Sequence, residues 1–273
     1  MQIISEMLNY HFILRAVIAG TLVSLCCSLL GVSLVLKRFS MIGDGLSHVG
    51  FGAIAAAAAL NLAPLYVAIP VCVAAAFFLL RISQNTRING DAAIAMISSG
   101  ALAVGVMLIS VSTGMNTDVY NYMFGSILAL SDGDAKFSIV LSICVTAFFI
   151  LFYPRLFAVT FDETFAKATG TNTGLCSTVL AVLTAVTVVL GMKMVGALLI
   201  SSLIIFPPLS AMRCFKTFKS VTVCSAVLSV ASFIAGMVLS MLLETPSGAS
   251  VVCVNVIVFV IFAVAGKITG RAS

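Results

Sequence analysis

Residues 16–36 form an uncharged, mainly apolar run of 21 residues. Eight further apolar runs follow, near 41–62, 64–80, 92–113, 136–153, 173–192, 194–212, 220–243 and 249–266, with short polar breaks between them. About 17–25 residues is the length a helix needs to cross the hydrocarbon core of a bilayer. A chain of such runs has few choices, because lipid offers no partner to a backbone N–H or C=O and each segment must satisfy its own. Helices do this, and nothing in the chain shows the alternation of a membrane barrel. The expected fold is an all-α polytopic membrane protein with a bundle of eight or nine transmembrane helices.

Composition supports that choice. The chain is 62% hydrophobic and only 8% charged, against about 25% charged in soluble domains, and its mean hydropathy is +1.24. Little polar sequence remains for a soluble catalytic or receptor domain, so residues 1–273 are expected to form a single transmembrane domain. The first twelve residues carry Glu6 and no basic residue, so the first apolar run is expected to be a span and not a cleaved signal. The eight cysteines lie in or beside apolar segments without a CxxC pair, and read as small buried hydrophobes. The segment 119–130, VYNYMFGSILAL, is too short to cross and is expected to be interfacial or re-entrant.

Basic residues encode orientation. With an outer N-terminus, the inner loops receive Lys37, Arg38, Arg81, Arg87, Arg155, Lys167, Arg213, Lys216, Lys219, Lys267 and Arg271, or 11 of the 14 Lys and Arg. Such excess marks the cytoplasmic side. The net charge of +5 is spread between spans, which argues against nucleic-acid binding. No GxxxxGK[ST] occurs, and the nearest fragment, AGKITG at 265–270, has Ile after its lysine. ATP therefore cannot be bound through a P-loop of this chain.

Within this apolar background Asp44 and His48 stand four residues apart in MIGDGLSHVGFGA. On a helix that spacing puts both side chains on one face, and ionisable groups inside spans mark ion or substrate pathways. A carboxylate oxygen with an imidazole nitrogen suits Zn2+, Mn2+ or Fe2+ better than Mg2+ or Ca2+. The structural alternative is that Asp44 caps a helix beginning there while His48 satisfies a polar neighbour. Two donors do not fill a metal shell, so a second copy across a two-fold axis, backbone carbonyls or water must complete it. Small residues such as Ala55–Ala59, Gly100 and Gly191 are expected to allow close helix packing.

Three segments resemble the membrane permeases of ABC importers for zinc and manganese, the ABC-3 family. KRFSMIGDGLSHVGFGA (37–53) is similar to that family's basic turn and IGD-x-LSH helix, and FDETFAKATG (161–170) to its cytoplasmic coupling segment. VGALLISSLIIFPPLSAM (195–212) is similar to its GxLL…P-x-x-A helix, and TPSG (245–248) is a weaker fourth match. The chain departs from the family in having no proline shortly after His48, and in reading Pro207-Pro208-Leu209 where P-A-A is usual.

The resemblance implies a type II ABC importer-like permease working as a homodimer with two ABC ATPase subunits and an extracytoplasmic metal-binding protein. It implies residence in the cytoplasmic (inner) membrane of a prokaryote. No cofactor is held permanently: the transported ion, Mn2+ or Zn2+ with Fe2+ as a third choice, is the substrate, and ATP acts only through the partner. Asp44 and His48 are the implied metal residues, and Phe161, Asp162, Glu163, Phe165, Ala166 and Gly170 the implied coupling residues. In the coupling segment Phe161, Phe165 and Ala168 are expected on one side, with Asp162, Glu163 and Lys167 more exposed, and Gly170 is expected to end the helix. Pro207 and Pro208 are expected to kink or break their span and to form part of a gate. The rival readings are a permease for a metal chelate, such as a siderophore or corrinoid, and an ion-coupled secondary transporter.

Overall fold

A computed structural model describes residues 11–85, 90–111 and 132–268 of the protein. Ten helices and no strand occur among them. They are α1 (His11–Leu36), α2 (Ile42–Ala59), α3 (Pro64–Asn85), α4 (Gly90–Val111), α5 (Asp132–Phe161), α6 (Glu163–Ala168), α7 (Thr173–Val195), α8 (Ala197–Cys214), α9 (Phe218–Leu243) and α10 (Ser247–Ile268). The segment 119–130 lies outside the described residues.

Seven of these helices, α1, α4, α5 and α7 to α10, are long and apolar enough to cross a membrane. The expectation of eight or nine exceeds that number by one or two, and the expected spans outside the seven are α2 and α3. The apolar part of α3, Pro64–Leu79, is short. In α2, Asp44, Ser47, His48 and four glycines dilute the apolar residues, yet 13 of its 18 residues are buried. Protein, not lipid, surrounds most of α2, so it need not be apolar on every side.

Burial divides the bundle into a centre and a rim. In α1 and α7 the most apolar windows are 72% buried, whereas those of α4, α5, α9 and α10 are between 22% and 33% buried. Rim helices accordingly carry large exposed side chains such as Phe148, Ile150, Leu151, Val260 and Ile261, the surface that hydrocarbon solvates. Four of the eight cysteines are buried, but Cys144 and Cys253 are exposed on the rim helices α5 and α10, where an apolar thiol faces lipid without cost.

Glycine sets the closest helix contacts. A Cβ on Gly31 of α1 would strike the Ile204 carbonyl of α8, and one on Gly236 of α9 would strike the Val251 backbone of α10. Lipid gives helices no hydrophobic reason to associate, so such backbone-level contact is a main source of cohesion. Gly100 of α4, by contrast, faces open space. We expect Gly236→Val to destabilise the bundle by about 2–3 kcal/mol through overpacking, and Gly100→Ala to leave it unchanged or firmer by up to ~1 kcal/mol. Thermal unfolding in detergent checks both, and equal effects of the two substitutions would contradict this packing.

Candidate functional site

The helix carrying Asp44 and His48 is aimed by a tight reversal after α1. Phe39 N–H donates to the Leu34 carbonyl at 2.9 Å and Arg38 N–H to the Val35 carbonyl at 3.0 Å, the paired bonds of a Schellman ending. Arg38 takes the left-handed position that this motif normally gives to glycine, with φ 62°. The chain then enters α2 at Met41, which makes no side-chain capping bond. Asp44 sits in the first turn but does not cap the helix, so the structural alternative for this carboxylate is removed.

Asp44 and His48 share one face of α2. His48 Nε2 lies 3.7 Å from Asp44 Oδ2, and the two side chains retain 22% and 41% of their exposure respectively. This is too long for a hydrogen bond. One ion about 2.1 Å from each atom could bridge them, the two atoms subtending an angle of about 125° at it, wider than the tetrahedral angle. The other carboxylate oxygen, Oδ1, accepts from Ser201 Oγ of α8 at 3.3 Å. Among the described residues no group of three or more His, Cys, Asp or Glu gathers anywhere. One copy of the chain thus offers an oxygen, a nitrogen and a nearby hydroxyl on a face that remains partly open.

Neighbouring contacts show which helices meet the pair and the reversal before it. Lys37 Nζ donates to Ser177 Oγ, near the start of α7, at 3.3 Å. Ser201 lies in the second turn of α8, just past the Gly196 link that follows the far end of α7. Lys37 therefore meets α7 near its start, whereas Asp44 meets α8 just past the link at the other end of α7, although the two residues are close in sequence.

The end at Lys37 also carries α6. Asp162 caps it, its Oδ1 accepting from Phe165 N–H at 2.8 Å, and Gly170 follows it with φ 82°. Glu163 and Lys167 pair at 3.2 Å along its surface. The expected division of faces is not what forms. Phe161, Phe165 and Ala168 are exposed, Glu163 is half-buried, and Ala166 alone is buried, against Val159 and Cys176. A helix of six residues has room for one inward residue, so the small alanine faces the bundle and the phenyl rings are left outside. Phe161 is steadied by rings behind it, with centroids 5.0 Å from Phe157 and 5.9 Å from Phe218.

Between α6 and the reversal lies a cavity of about 360 Å³ lined by Leu34, Lys37, Ile42, Phe161, Glu163 and Ser177 among others. Burial lowers the pKa of the Lys37 ammonium, and the Glu163 carboxylate draws it partly back. The two charges thus sense each other across the junction of α6 with the segment that leads into Asp44.

Pro207 and Pro208 do not break their helix, since α8 continues through both to Cys214. Prolines at these places withhold N–H donors from the Leu203 and Ile204 carbonyls. The Ile204 carbonyl packs directly on Gly31, so the close approach of α1 supports the helix where its own ladder is interrupted. Sequence reasoning missed Ser201, and it missed the buried bond from Asn255 Nδ2 of α10 to Ser202 Oγ at 3.0 Å. The signal was present as polar residues within apolar spans.

Comparison with known proteins places this architecture. The model of the ABC 3 transport family matches residues 9–266. The high-affinity zinc uptake system membrane protein ZnuB of Haemophilus influenzae is 30% identical over 252 residues, covering 92% of this chain and 97% of that protein. The manganese transport system membrane protein MntC of Halalkalibacterium halodurans is 29% identical over 249 residues, covering 91% and 85%. A solved structure of PsaBC from Streptococcus pneumoniae in complex with Fab superposes with a TM-score of 0.85 at 28% identity, over 96% of this chain and 94% of that one. The chain belongs to the ABC 3 transport family.

Proposed function

We propose that the protein is the permease subunit of an ABC importer carrying Mn2+ or Zn2+ inward across the cytoplasmic membrane, with Asp44 and His48 as ligands on the path. It is a multi-pass protein of the prokaryotic cytoplasmic membrane. The observation that carries the metal reading is the convergence of one carboxylate and one imidazole, 3.7 Å apart and partly open, on a helix otherwise enclosed by protein. Relatives whose names specify zinc uptake and manganese transport support the substrate class. The donor pair also suits Fe2+.

Two donors leave the shell short, and the open side of the pair has room for more. A second copy facing the first across a two-fold axis doubles the set to two carboxylates and two imidazoles, and water or carbonyl oxygen can fill what remains. A partner ATPase, two copies per transporter, hydrolyses ATP and docks against α6, where Phe161 and Phe165 project. An extracytoplasmic binding protein delivers the ion at the opposite end. The Pro207-Pro208 segment of α8 serves as part of the gate.

Reconstitution tests the whole reading. Permease and ATPase in liposomes, with the binding protein loaded with Mn2+ or Zn2+, should accumulate one of these ions in proportion to ATP hydrolysed. Accumulation of a siderophore-type chelate with neither free ion would overturn it.

A further inference from the structure

Ser201 stands where α8 meets the carboxylate proposed to hold the ion. Its hydroxyl is within 3.3 Å of Asp44 Oδ1 and also within 3.3 Å of the Ala197 carbonyl, one turn back on its own helix. A serine hydroxyl has one proton to donate. It can therefore bond Asp44 or its own backbone, and neither choice leaves it unsatisfied.

The segment bearing Ser201 has distinct ends. Gly196, between α7 and α8, has φ 91° and ψ 154°, a conformation open essentially to glycine alone. At the other end Pro207 and Pro208 interrupt the hydrogen-bond ladder. Residues 197–206 are thus a helical stretch between a glycine link and a diproline, which meets α2 through the Ser201 bond to Asp44 and the packing of Ile204 on Gly43.

On this evidence we infer that Ser201 is a positioning residue for the transported ion. Its hydroxyl bonds Asp44 Oδ1, and this orients Oδ2 toward His48 Nε2. When an ion draws both carboxylate oxygens, the proton turns to the Ala197 carbonyl, within 3.3 Å on the same helix. The inference rests on the assignment of Asp44 as a metal ligand, and it adds a residue on a second helix that acts through Asp44 without itself being a ligand.

The experiment uses the permease reconstituted with its ATPase and binding protein, with Mn2+ and Zn2+ assayed separately. Direct binding of each ion to the purified complex without ATP is measured alongside. Ser201→Ala should raise the half-saturating ion concentration in both assays about fivefold with the maximal uptake rate within twofold of the unaltered protein, and Ser201→Thr, which keeps the hydroxyl, should restore it. Alanine favours the helix, so the folded yield should hold. Unchanged half-saturation in Ser201→Ala, or an equal defect in Ser201→Thr, overturns the positioning role. An Asp44→Ala control separates the two readings: if it is inactive while Ser201→Ala behaves as the unaltered protein, only the positioning role falls. Normal uptake by Asp44→Ala removes the metal-site reading, and this inference with it.

Discussion

Replacing Asp44 or His48 by alanine is expected to reduce metal uptake at least about 100-fold, which corresponds to about 2.7 kcal/mol of lost binding. The size follows from how little else is present. Among the described residues no third His, Cys, Asp or Glu joins the pair, so a protomer that loses one side chain keeps a single strong donor. In a two-fold assembly the loss occurs twice. The fold should survive, since Asp44 makes only a 3.3 Å bond to Ser201 and caps nothing, and His48 is partly exposed. Assembly with the ATPase and basal hydrolysis should therefore remain near normal. Uptake of radioactive Mn2+ and Zn2+ into liposomes, beside a count of assembled complexes, decides the matter: either variant importing metal at the unaltered rate removes the pair from the path.

The all-helical bundle was legible because lipid leaves the backbone so few choices, and apolar length reports directly on them. Where an element is shielded by protein the same signal weakens, as in α2, 13 of whose 18 residues are buried although Asp44 and His48 stay partly open. The end of α5 was hidden for another reason. Pro154 and Arg155 look like a terminus, yet the helix runs on to Phe161, with Arg155 stacked over the Phe152 ring at 5.7 Å. The diproline of α8 misled in the same way, since support from Gly31 comes from a distant part of the chain.

The pairing of Asp44 with His48 was legible because helical periodicity is local, and one turn suffices to predict it. Ser201 was not, because its value depends on α8 lying against α2, a long-range fact that no spacing encodes. The faces of α6 were misjudged because amphipathic reasoning assumes a helix long enough to bury a stripe. A single turn and a half buries one residue, and Ala166 is the one that fits.

Reversing the charge at Glu163 is expected to lower metal-stimulated ATP hydrolysis about fivefold to tenfold, because it turns an attraction with Lys37 into a repulsion at the junction of α6 and the α1–α2 reversal. Burial already disfavours the Lys37 ammonium, and Glu163 is the carboxylate that offsets this. Glu163→Lys leaves two ammonium groups lining one cavity, with a second penalty from Lys167 on the same face of α6. Both residues are partly exposed, so the direct cost is on the order of 1 kcal/mol, enough to shift α6 without unfolding a bundle whose core lies elsewhere. The displacement matters because Lys37 adjoins the reversal that sets the start of α2, and α2 carries Asp44. A structural defect and a coupling defect are separated by the double variant Glu163→Lys with Lys37→Glu. The swap restores opposite charges across the cavity, and a glutamate at position 37 can accept from Ser177 Oγ where the lysine now donates. Recovery of at least half of the metal-stimulated rate in the double variant, with a non-additive cycle of about 1 kcal/mol, is the expected result; additive losses would show that the two charges do not act together between α6 and the metal-bearing helix.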